Sequence, residues 1–302
     1  MKEDKVNRSP LFYVGDKYKL VPEIKPLFPG DIRRFIEPFV GGASVTLNVE
    51  ADSYLLNDID KNVISIHKLL CSYAGKETSF FRKAYAIVDK YGLSCSAVKD
   101  IIPETMKQEF VKTYFARFNK EPYERLRADY NLSDRKNFLT LYLLLIYGFN
   151  RMLRFNKKGD FNLPVGNVDF NANTVDALQT YFREMARKDI KWTSLDFRAF
   201  LGGIQWEEGD FVYLDPPYLI TFSEYNKLWN EETEKDLLVI LDELNEAGVR
   251  FAISNVTHYK GKENTTFINW SEKYNSHQVK SNYISYHDNT IKKFNEVLVT
   301  NY

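Results

Sequence analysis

Along the chain, short apolar runs closed by polar or turn residues alternate with longer stretches of helical periodicity. The runs Arg34 to Phe39, Ser53 to Leu56, Phe211 to Leu214, Val249 to Ile253 and Glu296 to Thr300 are nearly continuous and short, the pattern of strands buried on both faces of a parallel sheet. Between the third and fourth runs, Asn230 predicts a helix cap and Glu231, Glu232 and Glu234 fill a first turn that favours negative charge. Leu237, Leu241 and Leu244 supply the core stripe of that helix, and Gly248 its stop. Strand, helix and strand in this succession imply a right-handed crossover in a sheet covered on both faces.

The middle of the chain has a different texture. Thr78 to Ile146 reads as mostly helical and aromatic-rich, with Phe138 to Ile146 a core helix. Phe149 to Phe170 is hairpin-like, Lys158-Gly159-Asp160 predicting a turn between Met152 to Asn156 and Phe161 to Val165. This segment is expected to be an insertion between two halves of one sheet, bounded near residues 66 and 171. No internal repeat, low-complexity tract or long linker interrupts it.

Charge changes the picture only locally. Lys plus Arg and Asp plus Glu both number 41 over 302 residues, so any nucleic-acid site must be a patch rather than a global field. From Arg117 to Lys158 basic residues outnumber acidic ones, which reads either as a solvated helix face or as such a patch. No apolar run approaches the roughly 20 residues that span a bilayer. Met1-Lys2-Glu3-Asp4-Lys5 has no apolar signal core, and Cys71 and Cys95, the only cysteines, suit a reducing compartment; a cytoplasmic protein with no membrane partner is expected.

The proposed strands end in distinctive residues: Glu37-Pro38 with Gly41-Gly42, Asn57-Asp58, Asp215-Pro216-Pro217-Tyr218 and Ser254-Asn255. In open α/β sheets ligands bind outside that rim. Phe39-Val40-Gly41-Gly42-Ala43-Ser44 predicts a tight strand-to-helix turn, either an ordinary turn or one that lets a ligand approach the backbone. Asp58, ending the next strand, is placed to accept both hydrogens of a ribose diol, which points to an adenosine-containing ligand. In Asp215-Pro216-Pro217-Tyr218 the prolines fix φ and remove donors, so the loop presents acceptors to an amino group while Tyr218 offers a ring face to a planar base. An amine conjugated into a purine is a poor nucleophile. Two hydrogen bonds to fixed acceptors localise its lone pair and stabilise the positive charge that develops as a methyl group arrives, with no metal or covalent intermediate required.

With these motifs in place the chain resembles the Dam-type DNA adenine (N6) methyltransferases, most closely their phage-encoded members, from about Tyr13 to Tyr302. The likeness rests on Tyr13 to Lys17, Glu37 to Ser44, Asn57-Asp58, Gly148-Phe149-Asn150, Arg154-Phe155-Asn156, Gly159 to Gly166, Phe211 to Tyr218, Ser254-Asn255 and Val299 to Tyr302. It implies an α/β fold: a Rossmann-like S-adenosylmethionine-dependent methyltransferase sheet with an inserted helical plus β-hairpin DNA-recognition domain. Residues 1–66 and 171–302 would form the discontinuous catalytic domain and residues 67–170 the target-recognition domain.

The resemblance further implies S-adenosyl-L-methionine as cofactor, lined by Tyr13, Lys17, Asp58 and Asp215, with Phe39 and Gly41 in the wall of the site and Phe197 near the adenine. Asp215, Pro216, Pro217 and Tyr218 would hold the target adenine, flipped out of double-stranded DNA, with GATC the leading target. Phe149 matches the aromatic that wedges into the stack, and Asn150, Met152, Arg154 and Pro164 match positions that touch bases or phosphates; on the residues alone, Phe149 and Met152 read equally as hairpin core. A cognate restriction endonuclease is a further partner that such a system implies.

Two departures bear on these expectations. Asp16 stands where the family usually has glycine or asparagine, and Val168 stands where GATC-methylating relatives carry a long tyrosine or arginine, which leaves the outer base pairs to another residue such as Asn167. Two rival readings remain: a methyltransferase of glutamine side chains or RNA bases, and a DNA-binding relative without catalysis. The basic insertion and the aspartate at position 215 speak against the first, and Tyr13, Lys17, Asp58 and Asp215 against the second.

Overall fold

A computed structural model describes residues 6–221, 229–279 and 294–302; the amino-terminal Met1 to Lys5 segment lies outside them. Two compact units emerge. One gathers the chain up to Asp16 with Gly41–Leu47 and Asp60–Arg187, and the other comprises Lys17–Val40, Asn48–Ile59 and Lys188–Tyr302.

The second unit contains every described strand: β1 (Arg34–Glu37), β2 (Ser53–Asn57), β3 (Ile190–Thr193), β4 (Asp210–Leu214), β5 (Arg250–Tyr259), β6 (Lys262–Glu263), β7 (Asn275–Val279) and β8 (Phe294–Thr300). Their order is β3-β2-β1-β4-β5-β8-β7, with β6 paired to β5. Neighbours from β3 through β5 pair in parallel, whereas β8 runs antiparallel to both β5 and β7. The five residues of β4 are all buried, as a central parallel strand requires. Its first residue is pinned: Asp210 accepts from Arg34 Nε at 2.8 Å and from a terminal guanidinium nitrogen at 2.6 Å, a two-pronged bond that raises the arginine's pKa.

Among the described residues, the α-helices of this unit are α1 (Val21–Ile24), α8 (Phe197–Gly202), α9 (Glu231–Glu246) and α10 (Thr265–Ser271). Helix α9 follows the sequence pattern closely. Asn230 caps it by accepting from the Thr233 amide at 2.9 Å, Leu237, Leu241 and Leu244 are buried, and Gly248 leaves in the left-handed region at φ 75°.

Asn57, the last residue of β2, ties the rim together. Its amide nitrogen donates to the Pro38 carbonyl at 3.1 Å and the Leu195 carbonyl at 2.9 Å, while its oxygen accepts from Thr193 Oγ1 and the Leu195 amide, both at 2.9 Å. The amide has two donors and two acceptor positions, so all are used. Asp58 follows immediately, its N–H directed to the Thr193 carbonyl at 3.4 Å.

Among the described strands, β3, β6 and β7 were not legible from apolar runs. β3 is a short, partly exposed edge, and β7 (Asn-Ser-His-Gln-Val) is mostly polar. β5 extends past Ile253 to Tyr259 because β8 and β6 pair with residues whose polar side chains masked the strand. A second difference lies after β1. The predicted strand-to-helix turn leads instead into a single 3-10 turn, Thr46–Asn48, since Gly41 (φ 45°) and Ala43 (φ 58°) both occupy the left-handed region that an α-helix excludes.

The other unit holds α2 (Lys61–Cys71), α3 (Glu77–Tyr91), α4 (Glu104–Glu109), α5 (Tyr114–Leu132), α6 (Phe138–Tyr147) and α7 (Ala172–Met185). Helix α6 is apolar all round and buried from Leu139 to Tyr147, the signature of a central helix. Its tyrosine hydroxyls reach backbone acceptors: Tyr142 donates to the Pro10 carbonyl at 3.1 Å and Tyr147 to the Ser94 carbonyl at 2.7 Å. Among the described residues no helix is long and apolar enough to cross a membrane.

The hairpin after α6 turns where predicted. Asn156 Oδ1 accepts from the Lys158 and Asp160 amides at 2.8 and 2.9 Å, and Gly159 takes φ 78°. It is held by isolated bridges, Gly148 to Val165 and Phe155 to Phe161, rather than a continuous ladder. At its base the backbones nearly touch: a Cβ on Gly166 would lie 2.6 Å from the Gly148 carbonyl oxygen.

Gly166→Ala is therefore expected to lower unfolding free energy by about 2 kcal/mol, the usual scale of an overpacked site. Gly202→Ala, where nothing lies within 4 Å, is expected to leave it unchanged or slightly raised. Urea unfolding checks both, and equal midpoints for the two variants would refute the close approach. In the same assay Asn57→Ala strands the Leu195 amide and the Pro38 carbonyl and is expected to cost about 3 kcal/mol.

Candidate active site

Beyond β4 the chain enters Asp215-Pro216-Pro217-Tyr218, and Asp215 meets Lys17 and Tyr218 within the sheet unit. Lys17 Nζ lies 2.8 Å from Asp215 Oδ2 and 3.6 Å from Glu296 Oε1 on β8. The Tyr218 hydroxyl stands 2.9 Å from both Asp215 Oδ1 and Glu296 Oε1, and the ammonium sits 5.1 Å from the centre of its ring. Side-chain exposure is 5% for Lys17, 18% for Asp215 and 0% for Glu296, so the aspartate is the carboxylate that a ligand can reach.

Local structure explains the placement. The Lys17 carbonyl accepts from the Leu20 and Val21 amides at 2.8 and 2.9 Å, which starts α1 and fixes the lysine's backbone. Burial, followed by the negative charges of Asp215 and Glu296, pushes the Tyr218 phenol well above its ordinary pKa, so the hydroxyl remains a donor. Next to it, Tyr213 on β4 bonds Ser254 Oγ at 2.9 Å, which gives that rim serine a structural partner. Asn255 donates to Glu234 of α9 at 2.9 Å, again inside the scaffold.

The residues assigned to a cofactor fall into separate groups. In the sheet unit, Lys17 and Asp215 belong to the cluster just described and Asp58 follows the Asn57 clamp. Phe39 and Phe197 pack at 5.6 Å between ring centres, and each lies 5.7 Å from Trp229. Trp229 was missed by sequence reasoning, since it lies outside any strand or recognised motif. Its indole N–H is buried and has no hydrogen-bond partner among the described residues.

In the helical unit, Tyr13 lines the glycine turn: a Cβ on Gly42 would lie 3.1 Å from Tyr13 Cβ, and one on Gly41 3.7 Å from its ring. The Gly41 carbonyl is held by His67 Nε2 at 2.8 Å. A carbonyl can only accept, so Nε2 carries the proton and Nδ1 accepts from Tyr181 at 2.8 Å. Full burial pushes His67 down to about 4, which keeps that ring neutral at physiological pH. His67 was also missed, because a single histidine on a buried helix face carries no sequence signal of its own.

Phe149 is 50% exposed. That exposure does not fit the hairpin-core reading of this ring, because a hairpin-core phenylalanine would be enclosed. Asn150 (φ 53°) and Arg151 (φ 49°) follow in consecutive left-handed conformations, a strained turn beneath the exposed ring. Pro164 is exposed and its carbonyl accepts from the Phe149 amide at 2.9 Å, while Met152 is half-buried. Arg154 is partly committed: Nε donates to Asn162 Oδ1 at 3.0 Å and a terminal nitrogen to the Asn162 carbonyl at 2.8 Å.

Several arginines of the basic run are staples rather than a solvated face. Arg125 donates to the Tyr91 carbonyl at 2.8 Å, Arg127 to the Leu163 carbonyl at 2.9 Å, and Arg135 to the Lys158 carbonyl at 3.1 Å and to Asp160. Arg151, another member of the basic run, stacks 4.0 Å over the Phe12 ring, and burial pulls it down to about 10. Asn167 spends its side chain on the Lys112 carbonyl (2.7 Å) and the Ala116 amide (3.1 Å).

Over 98% of its length the chain is 36% identical to the type II methyltransferase M.FokI of Planomicrobium okeanokoites and 34% identical to the modification methylase StsI of Streptococcus sanguinis, covering 43% of each. It thus spans less than half the length of those two relatives. With the DNA adenine methylase of Escherichia coli K12 it shares 27% identity over 97% of this chain and 95% of that protein. Residues 13–284 match the family described as D12 class N6 adenine-specific DNA methyltransferase, and the chain belongs to that family.

Proposed function

We propose that this chain transfers a methyl group from S-adenosyl-L-methionine to the exocyclic N6 of an adenine extruded from double-stranded DNA, with GATC as the leading target sequence. The observation that carries the reading is the Asp215 carboxylate, held by Lys17 at 2.8 Å and by Tyr218 at 2.9 Å and still reachable at the end of the central strand. A fixed carboxylate there accepts from the adenine amine, localises its lone pair and stabilises the cation that forms on nitrogen. Pro216 and Pro217 remove two backbone donors from the same loop, so at those positions the backbone offers the amine only acceptors.

Family membership implies the cofactor, and the chemistry of the side chains fits it. The carboxylate of Asp58 beside the Asn57 clamp suits a ribose diol, and the rings of Phe39 and Phe197 suit a purine. Tyr13, Lys17, Gly41 and Asp215 complete the set that would hold it. S-adenosyl-L-methionine supplies an electrophilic methyl carried on a sulfonium.

Residues 67–170 serve target recognition in this reading, and residues 1–66 and 171–302 catalysis. The exposed Phe149 above a strained turn supports the wedge role, with Asn150, Met152, Arg154 and Pro164 around it as DNA contacts. The adenine-specific class supports DNA over a glutamine amide or an RNA base. The relatives named as type II methyltransferase and modification methylase support a protective role beside a cognate restriction endonuclease. Cys71 and Cys95, neither of them in a disulfide, accord with a cytoplasmic setting.

The direct test is incubation with methyl-labelled cofactor and a mixed DNA library, followed by mapping of modified adenines; label on RNA or protein alone would refute the assignment. Asp215→Ala is expected to reduce transfer by about a thousandfold or more, the scale of losing a transition-state acceptor. Tyr218→Ala is expected to weaken capture of the extruded base more than cofactor binding, read by comparing the two dissociation constants. Arg154→Ala should relax sequence choice if the side chain reads a base, or reduce the salt slope of DNA binding by about one if it holds a phosphate. Wild-type behaviour in both quantities would remove Arg154 from the interface.

A further inference from the structure

Glu296 is the one member of the buried cluster that the transfer just described does not use. It lies on β8, paired across the sheet with Val256 of β5 and Val279 of β7, and its side chain is 0% exposed. Oε1 stands 2.9 Å from the Tyr218 hydroxyl and 3.6 Å from Lys17 Nζ, while Oε2 has no hydrogen-bond partner among the described residues. A buried carboxylate oxygen without a donor is costly, and an apolar residue like the neighbouring Val297 and Leu298 would pack this position more favourably. The cost points to a task for the charge.

That task follows from counting donors. Tyr218 has one phenolic proton, yet Asp215 Oδ1 and Glu296 Oε1 stand at the same 2.9 Å from its oxygen. Lys17 faces both carboxylates, at 2.8 Å and 3.6 Å. Without a second carboxylate, Asp215 would receive the whole phenolic hydrogen bond and the whole ammonium interaction, and charge-assisted donors of this kind draw electron density from the acceptor. Such an aspartate is a poorer acceptor for a weakly acidic amine. Glu296 competes for both donors from a place that no ligand reaches.

We propose that Glu296 is a positioning residue for methyl transfer: by sharing the Tyr218 proton and the Lys17 charge, it leaves Asp215 the acceptor capacity that the substrate amine needs. The assignment rests on the methyltransferase reading above. Tyr213, the other hydroxyl beside Asp215, is committed to Ser254 and does not take Glu296's place.

The test uses Glu296→Gln, which keeps the shape and removes the charge, in both wild-type and Tyr218→Phe backgrounds. Single-turnover transfer to a mapped DNA site, the equilibrium dissociation constant for S-adenosyl-L-methionine and the urea midpoint are read for each protein. For Glu296→Gln in the wild-type background, transfer is expected to fall by about tenfold or more, with cofactor affinity within about threefold and the midpoint unchanged. In the Tyr218→Phe background, where no shared proton exists, the same substitution should cost no more than about threefold, a non-additive pair. Wild-type transfer in Glu296→Gln, or equal costs in both backgrounds, would overturn the assignment. So would a loss of transfer matched by lost cofactor binding or a lowered midpoint, which marks a purely structural carboxylate. A wild-type protein that binds the cofactor and methylates no DNA would overturn the methyltransferase reading, and this assignment with it.

Discussion

The 2.8 Å approach of Lys17 to Asp215, with Glu296 fully enclosed beside them, sets the conditions that the sheet unit has to meet. Taking such charges out of water costs several kcal/mol for each ion, and their attraction offsets this only while the geometry holds. The scaffold is accordingly stiff where it carries them. Lys17 is fixed by the first turn of α1, and Asp215 leaves a strand that is buried throughout and pinned at its start by Arg34 and Asp210. Glu296 sits on a strand paired on both sides. A frayed β8 or a loosened start of β4 would expose or separate charges that were buried as a set.

Much of this fold was legible because parallel strands buried on both faces leave continuous apolar runs. β1, β2, β4, the start of β5 and the core of β8 announced themselves in this way, as did α9 through Asn230, its leucines and Gly248. The elements that escaped share one physical cause. β3 and β7 are edges, whose side chains need not be apolar, and the far half of β5 is polar because its value lies in backbone pairing with β8. The turn after Val40 misled for another reason: two consecutive glycines resemble a helix entrance, but the left-handed backbone of Gly41 and Ala43 permits only a 3-10 turn.

The candidate site was legible to the extent that its chemistry sits at strand ends. Asp215, Pro216, Pro217 and Tyr218 follow the most apolar strand, and Asp58 follows the next most evident one. Residues that act through others were silent. Glu296 is an isolated acid in an apolar strand, Trp229 precedes a helix with no motif of its own, and His67 lies on a helix whose pattern explains it as core. Only the three-dimensional structure reveals that each faces a residue of the candidate site: Tyr218, Phe39 and Gly41 respectively. The basic run shows the converse. Its charge was visible, but not that Arg125, Arg127 and Arg135 spend theirs on backbone carbonyls.

Those staples bear on how recognition and architecture divide within the helical unit. A hairpin held by isolated bridges has too few ladder bonds to keep its shape, and the forked donors of arginine replace what the ladder lacks. Arg127 grips the Leu163 carbonyl, Arg135 closes the Lys158 to Asp160 turn, and Arg154 joins the two arms through Asn162. Asn167 likewise ties the chain to Lys112 and to the first turn of α5. Val168 cannot donate and Asn167 is committed, so of the positions expected to touch DNA, Phe149, Asn150 and Pro164 are the exposed ones. A frame fixed by side chains that point inward tolerates change at those exposed positions. Arg127 and Arg135 cannot be freed to read DNA without loosening the hairpin that they hold, whereas Arg154 keeps one terminal nitrogen outside its bonds to Asn162.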